Sequence, residues 1–317
     1  MSFHSVGVVG LGLLGRGIAA CLVSRGLRVI AYDCRAEARR TARAHIDGAI
    51  QDLVRRGGFS ESLLATWADH YMEADSLETL DQCDFVIESV TEDLATKRQV
   101  FDALEAVVGG DVPIASNTSA LPISILQQGR RKPERFVGMH WAEPCHLTRF
   151  LEVIRGEATD DTTADATMSL GRAVGKDPSL VRKDVEGFII NRLGYAIYRE
   201  AFWLLENDVA DVETIDRTFR NAVSVWANIA GPFRWMDLTG VPAYAAVMKR
   251  LFPQLSCATE VPQQMRELVE SGAQGISNGR GFYSYTPQEA EQWERLLVEN
   301  VWRVRDLVTE ILPEEQA

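Results

Sequence analysis

The stretch Val6-Gly7-Val8-Val9-Gly10-Leu11-Gly12-Leu13-Leu14-Gly15 decides the fold of the chain. Its apolar beginning predicts a β-strand, and its glycines, spaced as G-x-G-x-x-G, lead into an apolar helix. Gly10 allows a tight turn, Gly12 lets a pyrophosphate approach the backbone, and Gly15 lets the helix pack closely on the strand. The stretch therefore predicts the dinucleotide-binding turn of a parallel α/β sheet.

The residues that follow indicate which dinucleotide binds. Leu13 and Leu14 lie where the helix begins, and the unpaired N–H groups of a helix N-terminus favour negative charge. Eighteen residues after Gly15, Asp33 ends the second strand-like run and can accept hydrogen bonds from ribose hydroxyls. This carboxylate would repel a 2′-phosphate, so we expect NAD rather than NADP, although Arg35 could hold such a phosphate. The same glycine motif also occurs in FAD proteins and some methyltransferases.

Strand-like and helical segments alternate from Val6 to about Leu180, as is typical of a parallel sheet covered by helices on both faces. The strand-like runs are VGVVG, LRVIAYD, DFVIES, VPIAS, RFVGMH and FLEVI. The segment from Ala36 to about Met72 predicts a helical hairpin that turns at Arg56-Gly57-Gly58. We therefore expect a doubly wound, mostly parallel sheet of the Rossmann type.

The pattern becomes helical throughout after Gly187. The last helical stretch runs from Gln288 to Leu312 and has apolar residues every three or four positions. We therefore expect two domains with a boundary near Glu186: a nucleotide-binding α/β domain over residues 1–186 and an all-helical domain over residues 187–317.

Composition excludes several classes of partner. The 33 basic and 45 acidic residues give a net charge of −12, which is a poor match for nucleic acid or an anionic membrane. No apolar stretch reaches the roughly 18 residues that a membrane span requires, and we expect no signal peptide. The five cysteines are scattered and form no C-x-x-C pair, so we expect a cytoplasmic protein with no bound metal.

Seven further segments resemble, in order along the chain, the L-3-hydroxyacyl-CoA dehydrogenases and their relatives that act on smaller 3-hydroxy acids. They are Glu88–Lys97 (ESVTEDLATK), Ser116–Ile123 (SNTSALPI), Arg135–His140 (RFVGMH), Phe150–Ile154 (FLEVI), Gly187–Arg192 (GFIINR), Gly231–Phe233 (GPF) and Arg280–Tyr283 (RGFY). Because these segments extend over nearly the whole chain, the resemblance is far more specific than the glycine motif alone.

The resemblance implies reversible oxidation of a small-molecule 3-hydroxyacyl substrate, carried on CoA, by a NAD-dependent homodimer of fatty acid metabolism. His140 would be the base, because an imidazole with an ordinary pKa of about 6.5 can take a hydroxyl proton near neutral pH. Glu152 would orient the ring and stabilise the imidazolium that forms. Ser119 and Asn191 would donate hydrogen bonds to a substrate oxygen.

Three cofactor neighbours follow from the resemblance alone. Glu92 and Lys97 match residues that lie by the ribose and nicotinamide of NAD, and Asn117 matches another neighbour of the cofactor. The alternative for Glu92 is an acid at a helix start that complements the helix dipole.

One departure from the family pattern leaves the substrate open. Related chains usually carry two apolar residues, an asparagine and a proline after the histidine, whereas Trp141-Ala142-Glu143-Pro144 places a carboxylate at the asparagine position. Glu143 could favour a cationic or polar substrate, or it could pair with Arg149. The alternative functions are a dehydrogenase of a free, carnitine- or gulonate-like 3-hydroxy acid and a non-catalytic NAD-binding protein.

Overall fold

A computed structural model of the chain describes residues 3–312. The contacts within the chain divide it into two compact units, Met1–Arg192 and Leu193–Ala317. This division lies six residues after Glu186, the boundary that the sequence predicts.

The first unit is built on one eight-stranded sheet. Its strands are β1 (Ser5–Val9), β2 (Arg28–Tyr32), β3 (Tyr71–Glu73), β4 (Phe85–Glu88), β5 (Ile114–Ser116), β6 (Phe136–Trp141), β7 (Phe150–Ile154) and β8 (Asp177–Val181). Their order is β3-β2-β1-β4-β5-β6-β7-β8, and every neighbouring pair is parallel except β6 and β7. The strand order reverses at β1, where parallel sheets bind ligands at the carboxyl ends of their strands. The prediction of a doubly wound, mostly parallel sheet is confirmed.

Helices cover the sheet because its strands are apolar on both faces. Every residue of β1, β4 and β6 is buried, as expected for strands inside a parallel sheet. The helices of this unit are α1 (Leu13–Ser24), α2 (Ala36–Arg56), α3 (Leu63–Thr66), α4 (Leu94–Val107), α5 (Ile123–Gln127) and α6 (Asp161–Ala173). Phe101 of α4 packs edge-on against Phe136 of β6, with ring centroids 5.3 Å apart.

The helical hairpin that the sequence predicts is present, but its second arm is short. α2 ends at Arg56, and Gly58 adopts a left-handed conformation with φ of 74°. After α3 the chain makes a 3-10 turn over Trp67–His70 and then enters β3 at Tyr71. The predicted helical end at Met72 is therefore wrong, because three residues are too few to show the alternation that indicates a strand.

The second unit contains helices and turns. Its helices are α7 (Ile190–Glu206), which begins in the first unit, α8 (Val212–Ala227), α9 (Pro232–Thr239), α10 (Val241–Leu251), α11 (Gln263–Glu270) and α12 (Pro287–Ile311). The helical character of this part is confirmed. None of the helices in the described residues is long and apolar enough to cross a membrane.

Gly138 in β6 provides a test of this packing. An ideal Cβ at this position would lie 2.8 Å from two atoms of Ile154 in β7, so we expect Gly138→Ala to lower the free energy of unfolding by about 1–3 kcal/mol. At Gly48, inside α2, the Cβ would meet no atom within 4 Å, so Gly48→Ala should raise this free energy by about 0.5–1 kcal/mol. Denaturant titration followed by circular dichroism measures both variants. Equal effects in the same direction would contradict the packing described for β6 and β7.

Candidate active site

His140 and Glu152 face each other across the antiparallel pair β6–β7. The strand register places the two residues directly opposite one another. His140 Nδ1 lies 2.9 Å from Glu152 Oε2, and the two residues are 6% and 2% exposed. The rings of Phe150 and Phe188 lie against the imidazole, with centroids 5.6 and 5.8 Å from its own. The structure therefore brings the expected imidazole and carboxylate together in a largely water-free site.

The second oxygen of Glu152 holds the start of α7. Glu152 Oε1 accepts hydrogen bonds from the amides of Ile189 at 3.0 Å and Ile190 at 2.9 Å. Gly187 and Phe188 reach this position through two successive left-handed conformations, with φ of 76° and 50°. A left-handed phenylalanine is unusual and is maintained only where its surroundings fix it. The buried carboxylate is thus fully compensated by three hydrogen bonds.

Asn191 connects the start of α7 to the loop that follows β5. Its Nδ2 donates a hydrogen bond of 2.7 Å to the carbonyl oxygen of Ser119. We call residues 117–120 the serine loop. The four residues expected to act on the substrate, His140, Glu152, Ser119 and Asn191, are therefore linked by hydrogen bonds and one short stretch of backbone.

The glycine turn fits a dinucleotide. Gly10 has φ of 92°, and a Cβ at this position would lie 2.5 Å from the Ser89 carbonyl oxygen. A Cβ at Gly15 would lie 1.8 Å from the Gly10 carbonyl oxygen, so both positions require glycine. At Gly12, by contrast, a Cβ would meet no atom within 4 Å.

The N-terminus of α1, which follows the turn, suits a phosphate group. Among the described residues, α1 has no capping side chain at its N-terminus and no acidic residue in its first turn. Its first residue, Leu13, is 53% exposed, and Leu14 is half-buried. Backbone N–H groups that no side chain satisfies, together with the open space at Gly12, suit the pyrophosphate of NAD.

Asp33 directly follows β2, and its neighbours stabilise its ionised form. Its Oδ2 accepts a hydrogen bond of 2.8 Å from the Leu11 amide, and its Oδ1 accepts one of 2.8 Å from the Arg35 amide and one of 3.2 Å from Arg35 Nε. Burial alone would raise the pKa of Asp33, but the hydrogen bonds from Arg35 and Leu11 and the charge of Arg35 lower it overall. Because the Arg35 guanidinium is held against Asp33, the site favours NAD over NADP.

The three remaining residues expected to contact the cofactor, Asn117, Glu92 and Lys97, have polar partners within the chain. Asn117 donates to Ser89 Oγ at 3.0 Å and accepts from the Trp141 amide at 3.0 Å, so it ties the end of β5 to β6. Glu92 accepts hydrogen bonds from the serine loop, and Lys97 is fully buried. Contact of these three side chains with the cofactor stays a prediction.

Sequence reasoning gave no role to Glu88, the last residue of β4. This residue is completely buried, and its carboxylate bonds to Lys97 and Ser116. The sequence offers one indication of such a role: a carboxylate ends the otherwise apolar run FVIE, and a buried charge requires a partner.

Glu143, which replaces the expected asparagine, lies over the first turns of α1. Its Oε2 is 3.8 Å from the position that a Cβ of Gly17 would occupy. Partial desolvation raises the pKa of Glu143, opposed by hydrogen bonds from Cys145 and by the charge of Arg16. Arg149 pairs with Asp177 instead, at 3.7 Å.

Comparisons with known proteins bear on both units. Residues 5–185 match the family model described as 3-hydroxyacyl-CoA dehydrogenase, NAD binding domain. Residues 187–285 match the model described as 3-hydroxyacyl-CoA dehydrogenase, C-terminal domain. The helix α12 lies beyond both matches.

Several relatives are similar along most of their length. The chain is 33% identical over 288 residues to a 5-formyl-3-hydroxy-2-methylpyridine 4-carboxylate 5-dehydrogenase from Mesorhizobium japonicum, with 91% of this chain and 93% of the relative covered. It is 32% identical over 281 residues to a 3-hydroxybutyryl-CoA dehydrogenase from Bradyrhizobium diazoefficiens, covering 88% and 94%.

Solved structures of both kinds of enzyme are also similar. A crystal structure of a 5-formyl-3-hydroxy-2-methylpyridine 4-carboxylic acid 5-dehydrogenase, described as a NAD+-dependent dismutase, matches with a TM-score of 0.90 and 32% identity over 97% of this chain and 99% of that one. An (S)-3-hydroxybutyryl-CoA dehydrogenase from Ralstonia eutropha matches with a TM-score of 0.75 and 32% identity over 90% and 100%.

Substitution of Gly12 tests the cofactor turn. We expect Gly12→Ala to fold with unchanged stability, because its Cβ meets no protein atom, and to bind NADH at least about tenfold more weakly, because that Cβ occupies the space for the pyrophosphate. Fluorescence titration with NADH and thermal denaturation measure the two effects. Gly48→Ala, whose Cβ also meets open space but in α2, is the matched control and should bind NADH normally. Normal affinity in Gly12→Ala would contradict the assignment of the turn.

Proposed function

The chain belongs to the 3-hydroxyacyl-CoA dehydrogenase family, and from this premise we propose that it oxidises a 3-hydroxyacyl substrate, carried on CoA, to the 3-keto compound. The reaction is reversible and uses NAD. The observation that carries the proposal is the buried hydrogen bond between His140 Nδ1 and Glu152 Oε2. Similarity to enzymes described as 3-hydroxybutyryl-CoA dehydrogenases supports the substrate class.

The His140 and Glu152 pair supplies the base. When bound at the glycine turn, NAD would supply the acceptor for the hydride that leaves the carbon bearing the hydroxyl. His140 donates a hydrogen bond from Nδ1–H to the Glu152 carboxylate, which leaves Nε2 unprotonated and able to take the hydroxyl proton. The Glu152 carboxylate stabilises the positive charge that the ring then acquires, and in a site with little water this interaction is stronger than at the surface.

Asn191 and Ser119 act on the substrate oxygen in this proposal. Asn191 uses one of its two amide hydrogens on the Ser119 carbonyl and keeps the other for the substrate. Neutral donors at fixed positions stabilise the negative charge that develops on this oxygen, and they add no group that titrates beside His140.

A second candidate is a dehydrogenase of a free substrate without CoA. Two observations favour it. Glu143 places a carboxylate three residues after His140, where it would attract a cationic or polar group of a substrate such as a carnitine-like compound. The match with the pyridine carboxylate dehydrogenase also covers more of this chain, 97% against 90%, and has the higher TM-score.

The helical unit supports the proposal of a homodimer. Among residues 193–312, only Ala230 and Trp302 are buried. Large apolar side chains such as Phe233, Val225 and Leu238 are more than two-thirds exposed. A unit of this size requires a hydrophobic core, and burial against a second copy would supply one.

We also propose a cytoplasmic location. Cys34 and Cys257 are exposed and form no disulfide. Unpaired, accessible thiols persist in a reducing compartment.

Turnover with a defined substrate panel tests the proposal. We expect NADH oxidation with acetoacetyl-CoA to exceed that with free 3-keto acids. Turnover only with free acids or with pyridine carboxaldehydes would select the second candidate. NADH binding without reduction of any 3-keto compound would select a non-catalytic NAD-binding protein.

His140→Ala should lower kcat by about 10²–10⁴-fold, because the base is lost. His4→Ala, which removes an exposed histidine in the same unit, is the control.

Glu152→Gln tests the orientation of the imidazole. The amides of Ile189 and Ile190 require an acceptor, so they hold the glutamine oxygen toward themselves and leave its NH₂ group facing His140 Nδ1. That NH₂ donates to Nδ1, so the ring proton moves to Nε2 and the ring no longer accepts the substrate proton. We expect kcat to fall by about 10³-fold or more while the protein remains folded. A kcat within a few-fold of wild type would contradict the assigned role of Glu152.

Sedimentation equilibrium tests the homodimer. We expect a mass of twice 35.2 kDa for the full chain. Substitution of exposed apolar residues, such as Val225→Asp together with Phe233→Asp, should shift the equilibrium toward the monomer. A monomer at all concentrations of the wild type would rule out the dimer.

A further inference from the structure

Lys97, in the first turn of α4, carries a charge that no solvent reaches. The residue is 0% exposed, and its Nζ lies 2.7 Å from Glu88 Oε1 and 3.4 Å from Glu92 Oε2. A buried ammonium is tolerated only when carboxylates compensate it. The ammonium of Lys97 therefore has two carboxylate partners within the chain.

Glu88 fixes the position of that ammonium. This last residue of β4 is 0% exposed, and its Oε1 also accepts a hydrogen bond of 2.7 Å from the Val90 amide. Its Oε2 accepts one of 2.6 Å from Ser116 Oγ, at the end of β5. Glu88 therefore ties together the carboxyl ends of two neighbouring parallel strands and places Lys97 between them and Glu92.

Glu92 connects this buried pair to the serine loop. Its Oε1 accepts hydrogen bonds from Thr118 Oγ1 at 2.5 Å, the Ser119 amide at 2.9 Å and the Ala120 amide at 3.1 Å. Its Oε2 faces Lys97. Burial would raise the pKa of Glu92, but the Thr118 hydroxyl, the Lys97 charge and the two amides lower it overall, so Glu92 remains a carboxylate.

The serine loop is thus held from two sides. Glu92 binds the amide of Ser119, and Asn191 binds the carbonyl oxygen of the same residue. Both oxygens of Glu92 are used within the chain, one on the loop and one on Lys97. The position of Ser119 therefore depends on a line of contacts that begins at the buried Glu88.

We propose that Glu88 and Lys97 are positioning residues that act through Glu92 to hold the serine loop in the geometry required for turnover. The inference rests on the proposed function for its catalytic consequence, although the state of the loop can be measured without any substrate. It differs from the expectation that Lys97 contacts the cofactor, because that contact would appear in cofactor affinity rather than in the turnover of the saturated enzyme.

The double variant Glu88→Gln with Lys97→Met tests this proposal. Removing both charges together leaves no uncompensated buried ion, and glutamine keeps one oxygen that accepts from the Val90 amide and an NH₂ group that can donate to Ser116 Oγ. We expect the amides of Ser119 and Ala120 to exchange hydrogen at least about tenfold faster. At saturating NADH, kcat should fall about 10–100-fold, while the Kd for NADH stays within about twofold of wild type.

Glu105→Gln is the matched control. Glu105 lies in the last turn of the same helix, its side chain is 4% exposed, and it pairs with Arg130 at 3.5 Å. This variant should lose stability without changing kcat or hydrogen exchange in the serine loop. Loss of stability alone is thereby separated from loss of loop position.

A second pair of variants decides the question if the double variant does not fold. Glu92 is partly exposed, so both of its variants are expected to fold. Glu92→Ala should speed exchange at Ser119 and Ala120 and lower kcat. Glu92→Gln keeps one oxygen for the loop but places its NH₂ group against Lys97, so it should recover only part of each effect. Full recovery of wild-type exchange and kcat by glutamine would overturn the proposal, because the contact with Lys97 would then not be needed.

Each result bears on one claim. Unchanged exchange and unchanged kcat in the folded double variant would overturn the positioning role, and so would a weakened NADH affinity with a normal kcat. If the wild type reduces no 3-keto substrate, the proposed function fails, whereas the exchange rates still decide whether Glu88 and Lys97 hold the serine loop.

Discussion

The carboxylate of Glu152 is almost completely buried and accepts three hydrogen bonds, one from an imidazole and two from backbone amides. Removing one partner of a buried charge typically costs about 3–5 kcal/mol, so this group strongly constrains what surrounds it. It sets the ring orientation of His140 and the point at which α7 begins. Because Asn191 is the second residue of α7, the same charge also sets one of the two contacts that hold Ser119.

The sheet topology makes this arrangement possible. Strands β1 to β6 run in one direction and β7 and β8 in the other. Parallel neighbours joined by a helix do not place residues twelve positions apart opposite each other. The single antiparallel pair, β6 and β7, does so through a short connection. The nucleotide turn after β1 and the serine loop after β5 both lie at carboxyl ends of parallel strands, so the cofactor turn and the reacting groups share one edge of the sheet.

Much of this could be predicted from the sequence, and the reasons for success and failure are physical. Local signals were sufficient for the conformation of the glycine turn, for the position of Asp33 after β2 and for most of the strands, because each depends on a few consecutive residues. The contact between Glu152 and the start of α7 could not be predicted, since it depends on a left-handed Phe188 that no residue preference indicates. The contact between Glu88 and Lys97 could not be predicted either. It matters because both side chains are buried, and the sequence alone does not show which charged residues are buried. The apolar side chains of the second unit indicate amphipathic helices, but a helical pattern does not show what covers their apolar faces.

The protonation of the His140 ring tests the central claim most directly. In protein with ¹⁵N-labelled histidine, the two ring nitrogens give distinct chemical shifts, and the His140 signals are assigned by their loss in a variant without this residue. The structure predicts that the neutral ring carries its proton on Nδ1, bonded to Glu152, with Nε2 unprotonated. A ring that carries its proton on Nε2, or that exchanges freely between the two forms, would contradict the account.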